Sequence, residues 1–126
     1  MGGAVIPNVV DFREKLELFE ECWAPKNVAA MNDYRFKLAK LEGTFVWHAH
    51  PDSDEAFLVL EGLLAIEFRA GTVELRPGQM TVVPAGVEHR PCAEHGVCHV
   101  LLIEPETTLN TGNVGGERTA PLDDWI

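Results

Sequence analysis

An all-β barrel or sandwich is the fold this sequence predicts, and three observations point to it. Apolar residues alternate with polar ones along short runs, the period of a strand with one buried face. The runs recur every 8–12 residues or so, separated by Gly, Pro, Asn and Asp turn signals, a spacing typical of sandwiches and barrels. No helical segment separates consecutive runs, so a parallel α/β sheet is not expected.

Asp11 with Glu14 three residues later has the form of a helix N-terminus. Phe12, Leu16, Phe19 and Trp23 then recur on one helical face, and Pro25 is the expected stop. That helix is expected to pack on the outside of a sheet, with its aromatic residues in the core. From Asn27 the period becomes two. Val28 to Met31 reads as a strand and Asn32-Asp33 as a turn. Tyr34, Phe36 and Leu38 alternate with Arg35, Lys37 and Ala39 as a half-buried strand. Further strands are expected over Thr44–Trp47, Glu55–Leu60, Leu64–Phe68, Val73–Leu75, Met80–Val83 and Val97–Ile103. Glu61-Gly62, Ala70-Gly71, Pro77-Gly78 and Pro84-Ala85-Gly86 mark turns between them. The stretch from Asn110 to Gly116 reads as a loop, and Trp125-Ile126 as an apolar anchor.

The chemistry concentrates between Gly43 and Gly62. His48 and His50 lie two apart in a strand-favouring stretch, so both side chains project the same way, about 7 Å apart. The turn-rich Pro51-Asp52-Ser53-Asp54 then returns Glu55 to the mouth of the same hairpin. His89, after the Pro84-Ala85-Gly86 turn, is the candidate third imidazole. Three imidazoles and a carboxylate suit one divalent transition metal (Fe, Mn, Ni, Cu or Zn) and not the all-oxygen cages of calcium. Glu55 has two readings, metal ligand and general base, which substrate displacement would make compatible.

These residues resemble the two motifs of the cupins. Gly43, His48, His50, Glu55 and Gly62 follow the first motif, with one residue fewer between Gly43 and His48. Gly78, Pro84, Gly86 and His89 follow the second, with Ala93 where its closing Asn usually stands. The resemblance implies a jelly-roll β-barrel, or double-stranded β-helix, with His48, His50, Glu55 and His89 as metal ligands. It places that barrel over 27–105, with a helical segment over 1–26 packed on it and a C-terminal extension over 106–126. The family includes dioxygenases, isomerases and lyases, and also domains that bind ligands without turnover. Its single-domain members commonly form homodimers, and Tyr34 to Leu41 with the N-terminal helix are the candidate interface.

Other residues are weighed against that site. His99 is mid-strand, and would become a catalytic or substrate-contacting group if it faced the interior. His95 reads as a loop tip, and Glu88 as pointing away from the metal. Val46, Phe57, Val59 and Met80 are the expected metal-facing neighbours, giving an apolar pocket for a small or aromatic ligand. Arg90 is the one cation expected nearby, too few for a sugar phosphate.

Composition bounds the rest. At 126 residues, 46% apolar and 24% charged, the chain is expected to be a single globular domain. Its net charge of −10 argues against nucleic acid and anionic membrane surfaces as partners. Cys22, Cys92 and Cys98 have no disulfide or zinc-knuckle spacing, which fits a reducing, cytoplasmic setting. The Met1–Pro7 stretch has neither a basic flank nor a long apolar run, and Ile6 breaks the acylation pattern after Gly2.

Overall fold

The computed structural model describes residues 5–126; the Met1–Ala4 part of the N-terminal readings lies outside the described residues. The elements are α1 (Phe12–Leu16) and strands β1 (Lys26–Met31), β2 (Tyr34–Thr44), β3 (Glu55–Glu61), β4 (Leu64–Phe68), β5 (Gly71–Leu75), β6 (Met80–Val83) and β7 (His89–Pro105). All pairings are antiparallel, in the order β1-β2-β7-β3-β6, with β4 joining β5 to β7. The long β7 is the seam. Its first residues pair with β4 and its later ones lie between β2 and β3. This is the all-β jelly-roll barrel the sequence predicts.

Alternation along the central strands creates two cores. Ala39, Leu41, Phe57, Val59, Val100 and Leu102 point into the barrel. Leu38, Leu101, Leu58 and Leu60 point outward, where Phe12, Leu16 and Phe19 cover them. Each fully buried Leu or Val contributes about 1.5–3 kcal/mol relative to exposure. Because both faces are covered, β2 is not the half-buried strand expected. Its inward face carries Ala39 and Leu41, and Lys37 is buried with them, although Lys37 and Ala39 alternate with the residues expected to face the core.

The helix is shorter than its periodicity predicts. Asp11 caps it, accepting from the Arg13 and Glu14 amides, but it ends at Glu17, well before Pro25. Glu17, Glu20 and Glu21 would crowd the negative end of a longer helix macrodipole. The chain after it is recruited by β2 instead: Cys22 bridges Lys40, and the Trp23 amide donates to the Lys40 carbonyl at 2.9 Å. Trp23 adopts φ +60°, and its indole donates to the Glu42 carbonyl at 2.8 Å.

β2 is paired on both sides, by β1 and β7, so Tyr34 to Leu41 offers no free edge for a second copy. Among the described residues β1, β5 and β6 each have one strand neighbour, and β6 exposes two apolar side chains, Met80 and Val82, each about half exposed. The 106–126 segment packs back on the barrel. The Asn27 amide donates to the Asp124 carbonyl at 2.7 Å, and the buried Lys26 ammonium meets Asp124 at 2.6 Å and Glu21 at 2.7 Å. Cys22, Cys92 and Cys98 are free thiols. Among the described residues no helix is long and apolar enough to cross a membrane.

Candidate metal centre

Backbone pairing assembles the site. After β2 the chain leaves the regular sheet, and His48 and His89 exchange both amide–carbonyl hydrogen bonds, at 3.0 and 2.8 Å. The first and third imidazoles are therefore cross-strand neighbours, with ring centroids 4.3 Å apart. Glu55 opens β3 opposite Val83, so the turn after Val83 starts beside it. That turn is tied to the hairpin by the Gly86 amide on the His50 carbonyl and the Ala85 amide on Asp54 Oδ1, both at 2.8 Å.

The ligand atoms of His48, His50, Glu55 and His89 all lie within 4.8 Å of one another, and all four residues are buried. His48 Nδ1 meets the Val46 carbonyl at 2.9 Å, and His89 Nδ1 meets the Val87 carbonyl at 2.9 Å. Donation at Nδ1 leaves each Nε2 with a free lone pair turned inward, the orientation a metal-ligating histidine needs. Glu55 Oε1 sits 3.2 Å from His50 Nε2 and 3.4 Å from His89 Nε2. His89 Nε2 is fully buried and has no hydrogen-bond partner. A buried polar atom left so is costly, and a cation shared by the four groups would satisfy it. The donor set therefore fits a divalent transition metal.

Electrostatics favours the binding-competent forms. Burial pushes the His48 imidazolium down to a pKa of about 4, keeping the ring neutral. Burial alone would raise Glu55, but the Glu104 carboxyl and the His50 and His89 rings together hold it well below the usual carboxylate range. Glu104 moves the opposite way, pushed well up by burial and by the charge on Glu55, while Lys37 pulls it back. Of the two carboxyls, Glu55 carries the charge.

A cavity of about 30 Å³ adjoins His48 and Glu55, walled by Trp23, Leu41, Phe45, Phe57 and Leu102, with Asn110 as a polar handle. It is apolar, as expected, but its walls differ from those predicted. Phe45 takes the place given to Val46, because the chain leaves regular strand geometry after Thr44. Phe57 packs edge-on to His89 at 6.1 Å, Val59 lies deeper in the barrel core, and Met80 is on the outside.

The remaining candidates do not join the group. Since Cys98 and Val100 face inward, His99 faces out, and its Nδ1 pairs with Glu61 Oε2 at 3.1 Å beside α1. Glu88 pairs with Arg69 at 2.7 Å and points away, as expected. His95 lies exposed where β7 runs Glu94 to Val97 past a single residue of β2. Arg90 is held by Glu67 at 2.7 Å and by Trp47, and the cation behind the site is instead Lys37, 2.8 Å from Glu104.

Sequence reasoning missed the bracing by the C-terminal segment. Asn113 clasps Ala49, the residue between the two histidines, donating its amide to the Ala49 carbonyl at 2.9 Å. Its Oδ1 accepts from the Ala49 amide at 2.8 Å. A Cβ on Gly112 would collide with the Ala49 carbonyl and meet His48 Cδ2 at 3.1 Å, so only glycine fits there.

Known proteins share this fold. A sequence model of the cupin domain matches residues 34–104. The uncharacterized protein YdbB of Bacillus subtilis (strain 168) is 36% identical over 90 residues, covering 64% of this chain and 80% of that one. A crystal structure of a cupin-2 domain containing protein from Shewanella frigidimarina is 50% identical, with a TM-score of 0.75 over 77% of this chain and 94% of its own. A crystal structure of a Neisseria meningitidis protein is 34% identical, with a TM-score of 0.71 over 78% of this chain and 99% of its own. Motif, barrel and buried ligand group thus agree with the match over residues 34–104: the chain belongs to the cupin family, as a metal-binding member.

Proposed function

We propose that this protein is a small metal-dependent enzyme acting on a small organic molecule, by dioxygenase-type oxidation in the first reading and as an isomerase or lyase in the second. The observation that supports it is the convergence of His48, His50, Glu55 and His89 on one point beside an apolar cavity. A divalent metal bound there (Fe, Mn, Ni, Cu or Zn) supplies Lewis acidity and coordination positions beyond its four protein ligands. The chain's own residues do the rest. The Val46 and Val87 carbonyls aim two imidazoles, Phe45 and Phe57 exclude water, and Glu55 is the carboxylate within reach to move a proton.

Oxygen uptake by Fe(II)-loaded protein, with a panel of diketones and catechols, tests this. Substrate-dependent uptake supports the oxygenase. Persistent silence together with tight ligand binding by calorimetry supports a non-catalytic binding or sensing module instead. The small size of the cavity favours that alternative. In this reading the protein is cytoplasmic, consistent with its three free thiols. It forms a homodimer, and the one-sided β6, with Met80 and Val82 exposed, is the strand best suited to pair with a second copy.

A further inference from the structure

We propose that Arg118 is the anion-recognising residue of the metal cavity, and that the ligand it selects is a small monocarboxylate with an apolar body. This rests on the metal-dependent reading above and names its substrate class.

The chain has 10 basic residues against 20 acidic ones, and half of the 10 make no ion pair among the described residues. Lys26, Arg35, Lys37, Arg69 and Arg90 are all in ion pairs. Among the described residues Arg118 is in none, and of the unpaired cations there it is the one set against the cavity wall. Its guanidinium carbon lies 4.5 Å from the Phe45 ring and 5.5 Å from the Trp23 ring. Those rings stack at 4.5 Å, both line the cavity, and Phe45 meets the His48 ring edge-on at 5.5 Å. Phe45 thus contacts both the metal group and the guanidinium.

Arg118 is also held in place. Asn110, itself a cavity residue, donates from Nδ2 to the Arg118 carbonyl at 2.9 Å and to the Trp23 carbonyl at 3.1 Å. Its Oδ1 accepts from the Ala120 amide at 2.8 Å, so one side chain fixes the backbone on both sides of Thr119. The guanidinium itself makes one hydrogen bond, from Nη1 to the Thr44 carbonyl at 3.3 Å. A guanidinium has five N–H donors in a fork that matches a carboxylate, so most remain for a ligand.

The ligand follows from the two ends. Its donor atom enters the cavity beside His48 and Glu55, its apolar body lies across the Trp23–Phe45 rings, and its carboxylate meets Arg118. The only other cation such a ligand would meet is the metal itself, so Arg118 has one fork to offer and selects one carboxylate.

The test uses the full chain loaded with Co(II) and titrated calorimetrically with benzoate and with its neutral isostere benzamide. Wild type should bind benzoate more tightly than benzamide. Arg118→Gln should lose at least tenfold in benzoate affinity with benzamide unchanged, and Arg118→Lys should fall between. Equal benzoate affinity in wild type and Arg118→Gln, with Co(II) bound stoichiometrically, overturns the role of Arg118 and leaves the metal centre standing. Co(II)-loaded wild type that ignores benzoate overturns the carboxylate class. Failure of wild type to take up Co(II) at all overturns the metal-dependent reading and this inference with it.

Discussion

Lys37 Nζ lies 2.8 Å from Glu104 Oε2 inside the barrel, and both side chains are at least 95% buried. Glu104 in turn faces Glu55, so an ammonium and two carboxyls extend from the barrel interior to the metal group. Lys37 also donates to the Thr108 carbonyl at 3.3 Å, linking this line to the C-terminal segment.

Lys37→Met should therefore be costly, because it removes the cation that offsets the one negative charge the two buried carboxyls share. A loss of about 3 kcal/mol is expected from breaking one side of such a pair. The double variant Lys37→Met/Glu104→Leu should recover most of it. Urea unfolding of the two single variants and the double variant gives the coupling; a double variant as unstable as Lys37→Met plus Glu104→Leu would mean the pair is not coupled.

His50→Ala should lower metal content without unfolding the barrel, since the inner core lies in the strands and not in the hairpin tip. Elemental analysis beside a far-ultraviolet spectrum reads both. Stoichiometric metal retained in this variant would mean that the ligand set is wrong.

Gly112→Ala tests the brace on the hairpin. Gly112 has φ +55°, and its missing Cβ leaves room for the Ala49 carbonyl. The backbone strain alone costs about 1–2 kcal/mol, and the collision adds to it. Metal affinity, measured by chelator competition, should fall at least tenfold. Unchanged affinity would show that the histidine pair does not depend on its brace.

Acid should destabilise the metal-free protein through His48. Its folded pKa of about 4 lies below the ordinary 6.5, so the folded state prefers the neutral ring. That preference is fully present above pH 6.5 and is lost as pH falls toward 4, about 3 kcal/mol in all. Metal-free His48→Asn should lose correspondingly less stability than metal-free wild type between pH 7 and pH 4.5. Parallel losses would remove His48 as the cause.

Sedimentation tests the proposed dimer. Wild type should run at twice 13.9 kDa at micromolar concentration, and Met80→Glu with Val82→Glu should run at 13.9 kDa. A wild-type monomer across that range would exclude the dimer there, and a variant that stays dimeric would move the interface away from β6.

The positions of most strands and the ligand group were legible because both are local. Turn residues mark the strands, and His48, His50 and Glu55 lie within one hairpin. Facing direction was not legible wherever both sides of a strand are apolar. Cys98-His99-Val100-Leu101-Leu102-Ile103 has no polar face, so nothing in it says that His99 points out. Lys37 misled for the related reason that a charge usually marks the wet side. Its partner Glu104 is 67 residues away in sequence, and only the β2–β7 register brings them together. The helix over-reached because Phe19 and Trp23 keep helical spacing while serving β2 and the cavity wall.

The clasp of Asn113 on Ala49 separates control of the site from its ligands. Ala49 lies between His48 and His50, so a residue that touches no metal sets the spacing of two that do. The fit of the site to one ion or another can therefore be changed at position 113 with every ligand left in place.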